Sequence, residues 1–236
     1  MNFEKKDKVL IVAAHPDDDV LGCGGTIAFL REKKIKVRVV FLAEGISARY
    51  LQKDIGSFKV KKEIDYRNKC ALKALKILGV NKEEIFFNNY QCLNLDQISF
   101  LDITKTIEKQ VYDFMPTNIF THAQNDVNND HTIINKAMLA ATRPFDKIFL
   151  KNIYSFEILS SSEWNYLNAF NANCFFDISK TLKKKILAIK AYKKEFKKSP
   201  HPRSIETIKA LATFRGSQSG LKYAESFNLI RSIKKN

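Results

Sequence analysis

Residues 9–26 read Val9-Leu-Ile-Val-Ala-Ala-His15-Pro16-Asp17-Asp18-Asp19-Val-Leu-Gly22-Cys23-Gly24-Gly25-Thr26. An apolar run stops at a histidine and three successive carboxylates, and a glycine-rich turn follows. The run, with Lys8 ahead of it, is aliphatic with little alternation, the pattern of a strand buried on both faces. Desolvating an ionised carboxylate is costly unless something offsets it, and a divalent cation at the strand end would do so.

Outward from this stretch, strand and helix patterns alternate. Gly24-Gly25 lead into a helix from Thr26 to Lys34, and Lys36–Ala43 is a second strand that ends at Glu44-Gly45. Apolar positions at helical spacing from Lys59 to Leu78 stop at Gly79, a residue suited to a helix C-terminus. Ile85–Phe87 reads as a strand, Gln97–Phe114 as a helix closed before Pro116, Asn118–His122 as a strand and Thr132–Thr142 as a helix. This alternation predicts an α/β fold with a largely parallel sheet covered on both faces. Ligands bind such sheets at the C-terminal strand ends, near a topological switch point. The His15 cluster ends the first strand and Asp126–His131 follows the fourth, so both can share one sheet edge.

From Ile148 the pattern turns to aromatic-rich strands, Ile148–Ile158 and Asn173–Ile178. A lysine-rich helix is expected over Ser179–Lys198, with Leu182, Ile186, Ile189, Tyr192 and Phe196 on one side. Ser199–Arg203 breaks it, Ser204–Arg215 forms a last helix, and a short tail follows. The whole chain, 1–236, reads as a single domain: a core over 1–147 and a C-terminal strand and helix extension over 148–236.

The chain has 236 residues, 45% of them hydrophobic, enough for a sizeable core. No apolar run approaches the ~18–20 residues of a membrane span. The N-terminus lacks the apolar segment of a signal peptide, which points to the cytoplasm. Cys23, Cys70, Cys92 and Cys174 are scattered without CxxC spacing and read as reduced structural thiols. The net charge of +15 comes mainly from lysines on predicted helix exteriors. A nucleic-acid stripe would interleave arginines and aromatics, so a phosphorylated substrate or peripheral contact with an anionic membrane fits better than nucleic acid. A homo-oligomer is compatible with all of this.

Zinc takes imidazole nitrogen and carboxylate oxygen, and a catalytic site keeps one position for water. His15 and Asp18 bracket a proline turn and can converge beyond the strand. His131, at the start of a helix after a neighbouring strand, is the best third ligand in a chain of four histidines. Asp17 then lies near the metal without being needed as a ligand. A carboxylate beside a water of lowered pKa makes a hydrolase. The glycines at 22, 24 and 25 could instead form a phosphate nest, but the aspartates before them would repel phosphate, and neither a Gly-Lys-Ser/Thr sequence nor a dinucleotide fingerprint is present.

Ala14-His15-Pro16-Asp17-Asp18-Asp19, the glycines to Thr26, and Asn129-Asp130-His131 together resemble the PIG-L/LmbE family, zinc-dependent N-deacetylases of amino sugars with a Rossmann-like fold. The helix carrying Arg67 and ending at Leu78-Gly79 is similar too. Pro200–Ser204, Arg215-Gly216 and Tyr223–Phe227 are similar to bacterial members acting on surface-glycan sugars. The resemblance implies Zn2+, or another divalent transition metal, on His15, Asp18 and His131. It implies Asp17 as general base, Asp130 as a carboxylate orienting a ligand, and substrate contacts from Arg67, Asp126 and Arg203. The substrate would be an amino sugar, sugar nucleotide or glycan intermediate, and water would release its acetyl group. Two positions depart from the pattern. Asn128 stands where many members have a histidine, and Cys70 where they often have a glutamate. Asparagine can donate a hydrogen bond but not deliver a proton, so the acid role falls to Asp17, His122 or His201. A catalytically impaired relative and a hydrolase of another small amide are the alternatives.

Overall fold

The computed structural model describes residues 3–144 and 150–234. The first strand, β1 (Lys8–Ala13), is followed by α1 (Asp18–Glu32), β2 (Lys36–Ala43), α2 (Phe58–Leu78), β3 (Ile85–Tyr90), α3 (Phe100–Phe114), β4 (Asn118–His122) and α4 (Asn129–Ala141). The remainder adds β5 (Asn152–Phe156), β6 (Cys174–Asp177), α5 (Leu182–Lys190), α6 (Ile205–Ser217) and β7 (Ala224–Ser232). The strands form one seven-stranded sheet in the order β3-β2-β1-β4-β5-β7-β6. β1 to β5 pair in parallel, and β7 runs antiparallel to both β5 and β6. The expected α/β, mostly parallel, Rossmann-like architecture is what forms.

From Val9 onward β1 is aliphatic because both its faces are covered. Val9, Ile11 and Ala13 join one core with α1, α2 and α5, while Leu10, Val12 and Ala14 join a second core with α3 and α4. The chain leaves β1 for β2 on one side, and β4 pairs on the other. The strand order therefore switches beside β1, and a crevice opens at its C-terminal end. His15 follows β1 directly there, and His122 ends β4.

Four elements differ from the sequence reading. α1 starts at Asp18 rather than Thr26, and it breaks at Cys23, which has non-helical φ −143° and ψ 23°. The break is spliced from outside: the Glu225 carboxylate accepts from Gly25 N, Thr26 N and Thr26 Oγ1 at 2.8, 2.7 and 2.6 Å. Lys185 Nζ, 2.7 Å from Glu225, donates to Leu21 O at 2.7 Å. The glycines serve close packing here, since a Cβ at Gly25 would lie 2.7 Å from Ile178. α5 ends at Lys190 instead of Lys198, although its lysines favour helix. Beyond it Glu195 is drawn into ion pairs with Arg49, Arg67 and Arg203. The tail is strand β7, whose neighbours β5 and β6 supply its partners. β5 begins at Asn152; Ile148 and Phe149, read as part of that strand, lie outside the described residues.

Among the described residues no helix is long and apolar enough to cross a membrane. All four cysteines are free thiols.

Candidate active site

The turn after β1 is built around Asp17. Its φ of 128° and ψ of −25° lie in a region that non-glycine residues rarely adopt. Such strain persists where the surroundings impose it, and it clusters at functional sites. Asp18 N donates to His15 O at 3.2 Å, and His15 N donates to Asp18 Oδ2 at 2.8 Å, which closes the turn around the proline.

His15, Asp18 and His131 come together as expected and are buried. Asp18 Oδ2 lies 3.3 Å from His15 Nδ1 and 3.4 Å from His131 Nε2. A tetrahedral ion with bonds of ~2.0–2.1 Å separates its ligand atoms by about 3.3–3.4 Å. His131 Nε2 has no hydrogen-bond partner although it is buried. These observations fit a divalent cation held by the three residues.

The far nitrogens of both imidazoles face carboxylates, as metal-binding histidines generally do. His15 Nε2 is 2.9 Å from Asp130 Oδ2, and His131 Nδ1 is 3.2 Å from Asp126 Oδ2. Asp130 also accepts Leu93 N at 2.7 Å and Leu95 N at 3.2 Å. Asp126 accepts Asn128 N at 2.8 Å and Ser162 Oγ at 2.6 Å, together with Ser161 Oγ. Asp126, expected at the substrate, thus stands behind His131 with its oxygens engaged.

The electrostatics favour positive charge at this point. Burial opposes ionisation of Asp18, yet His131, His15 and His122 hold its pKa well below the usual carboxylate range. Burial likewise opposes charge on His15 and His131. Asp130 and Asp18 outweigh it at His15, Asp18 and Asp126 at His131, and both imidazoles move upward. Asp126 is also disfavoured by burial, but His131, Ser161 and Ser162 bring it to about 2. His122 goes the other way: burial and the neighbouring His131 push it well below the ordinary imidazole value. Its Nε2 accepts Ala14 N–H at 2.8 Å, and its ring stacks on His131 with centroids 3.8 Å apart. His122 is therefore a fully buried platform for His131.

Asp17 is held from the opposite side. Arg67 Nη2 and Arg203 Nη1 reach its Oδ2 at 3.0 and 2.8 Å, and the buried Oδ1 has no hydrogen-bond partner. Burial raises its pKa above the ordinary value; the two arginines pull back only in part, while Asp18 and Glu195 add to the rise. Arg67 also donates to Pro16 O at 2.9 Å and pairs with Glu195 Oε1 at 2.8 Å. Arg203 Nε donates to Ser160 Oγ at 2.6 Å. Both arginines expected at the substrate bind the protein's own carboxylates.

Asn128 and His201 lie next to this set with their side chains in local turns. Asn128 Oδ1 caps α4 by accepting Asp130 N at 3.0 Å. His201 Nδ1 accepts Arg203 N at 3.0 Å and shapes the turn that carries Arg203 to Asp17. Asp19, fully buried, has no hydrogen-bond partner on either oxygen, and burial with the charge of Asp17 moves its pKa well up.

Three participants escaped the sequence reading. Glu195 ties Arg67, Arg203 and Arg49 together from inside a lysine-rich stretch. Cys92 places Sγ 3.4 Å from His15 Nε2. Glu44 accepts Ser47 N and Cys92 N, both at 3.0 Å, and so fixes the loop beside His15. Its position at a strand end before a glycine was the one available signal.

A family model described as PIG-L: GlcNAc-PI de-N-acetylase matches residues 10–142. A probable N-acetyl-alpha-D-glucosaminyl L-malate deacetylase 2 from Bacillus cereus is 26% identical over 141 residues, 59% of this chain and 62% of that protein. The match thus spans less than two thirds of that relative's length. Among solved structures, the N,N'-diacetylchitobiose deacetylase from Pyrococcus horikoshii superposes with a TM-score of 0.70 at 22% identity, over 95% of this chain and 84% of that one. GalB, the 4-carboxy-2-hydroxymuconate hydratase from Pseudomonas putida KT2440, gives 0.76 at 24% identity, over 98% and 99%. At these identities the superpositions establish the fold, and that fold serves both a deacetylase and a hydratase.

Proposed function

Because the chain belongs to the PIG-L family, we propose that it is a metal-dependent hydrolase that removes an N-acetyl group from an amino-sugar nitrogen. The observation that carries this reading is the juxtaposition just described. Asp18 Oδ2 stands at the spacing a tetrahedral ion needs from a nitrogen of each imidazole, next to a strained carboxylate with one unpartnered oxygen. Zinc is the first choice for two imidazoles and a carboxylate, and when bound it would polarise the amide carbonyl and lower the pKa of water.

The chain's own residues do the rest. Asp17 Oδ1 takes the proton from the attacking water, because Oδ2 is committed to Arg67 and Arg203. Its raised pKa brings it closer to the range in which a carboxylate works as a general base. The same group returns the proton to the leaving amine. Asn128 has no proton to give, and His122 is enclosed with its Nε2 accepting Ala14 N–H. Asp130 and Asp126 fix the rings of His15 and His131.

For the substrate, the Bacillus cereus relative's name and the +15 net charge support an amino sugar on an anionic carrier, such as a sugar nucleotide or a glycan intermediate. The basic excess lies mainly in lysines rather than arginines, which supports a small molecule over nucleic acid. A cytoplasmic site of action and zinc as resident metal belong to the same proposal.

The test is a screen of acetylated UDP-sugars and simple N-acetylglucosamine derivatives with zinc present, read out as free amine. Metal content is measured alongside. We expect about one zinc per chain and turnover of at least one acetylated sugar, with both lost in His15→Ala. Full activity in His15→Ala, or a protein that takes up no metal, would overturn the reading.

A further inference from the structure

On the α4 side of the sheet, a groove of about 370 Å³ runs between α4, the β5–β7 pair and the loop around residue 170. Its wall differs from the rest of the surface. None of the residues lining it is ionisable, in a chain where 28% of residues are charged. Five of them carry carboxamides: Gln124, Asn125, Asn135, Asn171 and Asn228.

Three of these amides are fixed in orientation by acceptors that can only receive a hydrogen bond. Asn125 Nδ2 donates to Asn168 O and Ala169 O, both at 2.8 Å. Asn135 Nδ2 donates to His122 O at 2.8 Å, and Asn228 Nδ2 to Asn171 O at 2.9 Å. Of a carboxamide's two polar atoms only the nitrogen can donate to a carbonyl, so flipping any of the three would set oxygen against oxygen. Each nitrogen is therefore committed to a protein carbonyl and each amide oxygen is turned away from that contact. Asn135 is 1% exposed, and its Oδ1 has no partner among the described residues. A buried acceptor left unpaired is costly. Phe170 supplies an aromatic face, and Leu139, Leu229 and Ile230 supply apolar patches in the same wall.

Uncharged walls, carboxamides whose nitrogens are already committed to protein carbonyls and an aromatic face together match a ligand with many hydroxyl donors, apolar C–H faces and no charge. We propose that this groove is a binding subsite for a neutral saccharide, separate from the histidine and carboxylate cluster. The assignment stands on the groove's own chemistry and holds whether or not the cluster hydrolyses amides. The two places are linked through structure, since Asn135 holds the carbonyl of His122, the platform under His131.

The test follows the side-chain amide signals of the full chain by NMR during titration with two neutral probes, maltotetraose and N-acetylchitotetraose. UDP-N-acetylglucosamine serves as the charged comparison. The expected result is saturable movement of the Asn125 and Asn228 signals with at least one neutral probe. Leu139→Trp, which fills the groove from the half-buried flank of α4, should weaken that binding by about tenfold or more. Asp17→Asn should leave it unchanged. Should Leu139→Trp fail to fold by circular dichroism, the exposed Asn171→Ala replaces it, with a smaller loss expected. The proposal falls if neither neutral probe moves these signals. It also falls if binding is lost in Asp17→Asn and kept in Leu139→Trp, or if the signals move with protein concentration alone, which would mean that a second copy covers the groove.

Discussion

The two sides of the site are built in different ways. His15, Asp18, His131 and their supporting carboxylates come from strand ends and the first turns of α1 and α4, all buried and each with two or more fixed contacts. Asp126 is the exception, placed in the connection just ahead of α4. The side that grips Asp17 depends wholly on long side chains and connecting segments: Arg67 from the middle of α2, Glu195 and Arg203 from the stretch between α5 and α6. There the ion pairs reach the surface, with the Arg49 side chain 46% exposed and that of Arg203 20% exposed. Regular elements fix the ligand geometry, where an error of a fraction of an ångström matters. Arginine–carboxylate pairs modulate the charge state of the proposed base, which tolerates small movements. In the proposed reaction the first side defines what is bound and the second tunes how Asp17 titrates.

The largest effect expected from this division is at the residue the two sides share. Asp17→Asn keeps the shape and removes the proton acceptor, so turnover should fall about 10³-fold. Zinc content should stay unchanged, because Asp17 is not needed as a ligand. Paired metal analysis and rate measurement check this. Loss of metal in Asp17→Asn would merge the two sides into one and break the comparison.

Next in size is the splice that joins the C-terminal extension to α1. Glu225 and Lys185 form a buried pair at 2.7 Å across the break at Cys23, on the helix that starts with Asp18. Removing one member of such a pair leaves an uncompensated buried charge, at a cost of about 3–5 kcal/mol. Glu225→Ala should lower the denaturation midpoint accordingly, and Glu225→Ala combined with Lys185→Met should recover part of the loss. If the double variant is no more stable than the single one, the pair is not the splice described here.

How much of this was legible follows the same line. β1, its terminating cluster and α4 could be read because their signals are local: an aliphatic run, a proline turn, a histidine next to an aspartate. The proposed metal ligands follow from residue type and from the rule that parallel sheets bind at strand ends. Arg67, Asp126 and Arg203 were picked out as site residues, but the protein's own carboxylates and hydroxyls hold them, and no sequence spacing reveals which partner a long side chain finds. Glu195 was hidden because a lysine-rich stretch with apolar residues at helical spacing reads as helix; two of its arginines, Arg49 and Arg67, come from distant parts of the chain. The tail became β7 because it meets an open edge of β5, a partner that lies about seventy residues upstream. Asn128 was weighed as a catalytic group, whereas its position before Asp130 is that of an ordinary helix cap.

The smallest effect, and the most specific to the tuning side, is at Glu195. Burial would raise its pKa, but Arg49, Arg67 and Arg203 bring it to about 2 from an unfolded value of 4.5. The folded value is the lower one, so the stabilisation is complete above pH 4.5 and is lost as the pH falls through about 2. With screening of the exposed pair to Arg49, the contribution at neutral pH is about 2 kcal/mol. Glu195→Gln should therefore be less stable than the parent by that amount at pH 7, with the gap closing between pH 4.5 and 2 in denaturant titrations. The rate profile should move as well. Glu195 adds to the raised pKa of Asp17 and shares its two arginines. Without that negative neighbour, Arg67 and Arg203 serve Asp17 alone and its pKa falls, so the acid limb of turnover shifts to lower pH. A stability gap that behaves as described with an unmoved acid limb would make Glu195 a brace for the fold and leave the tuning of Asp17 to its burial.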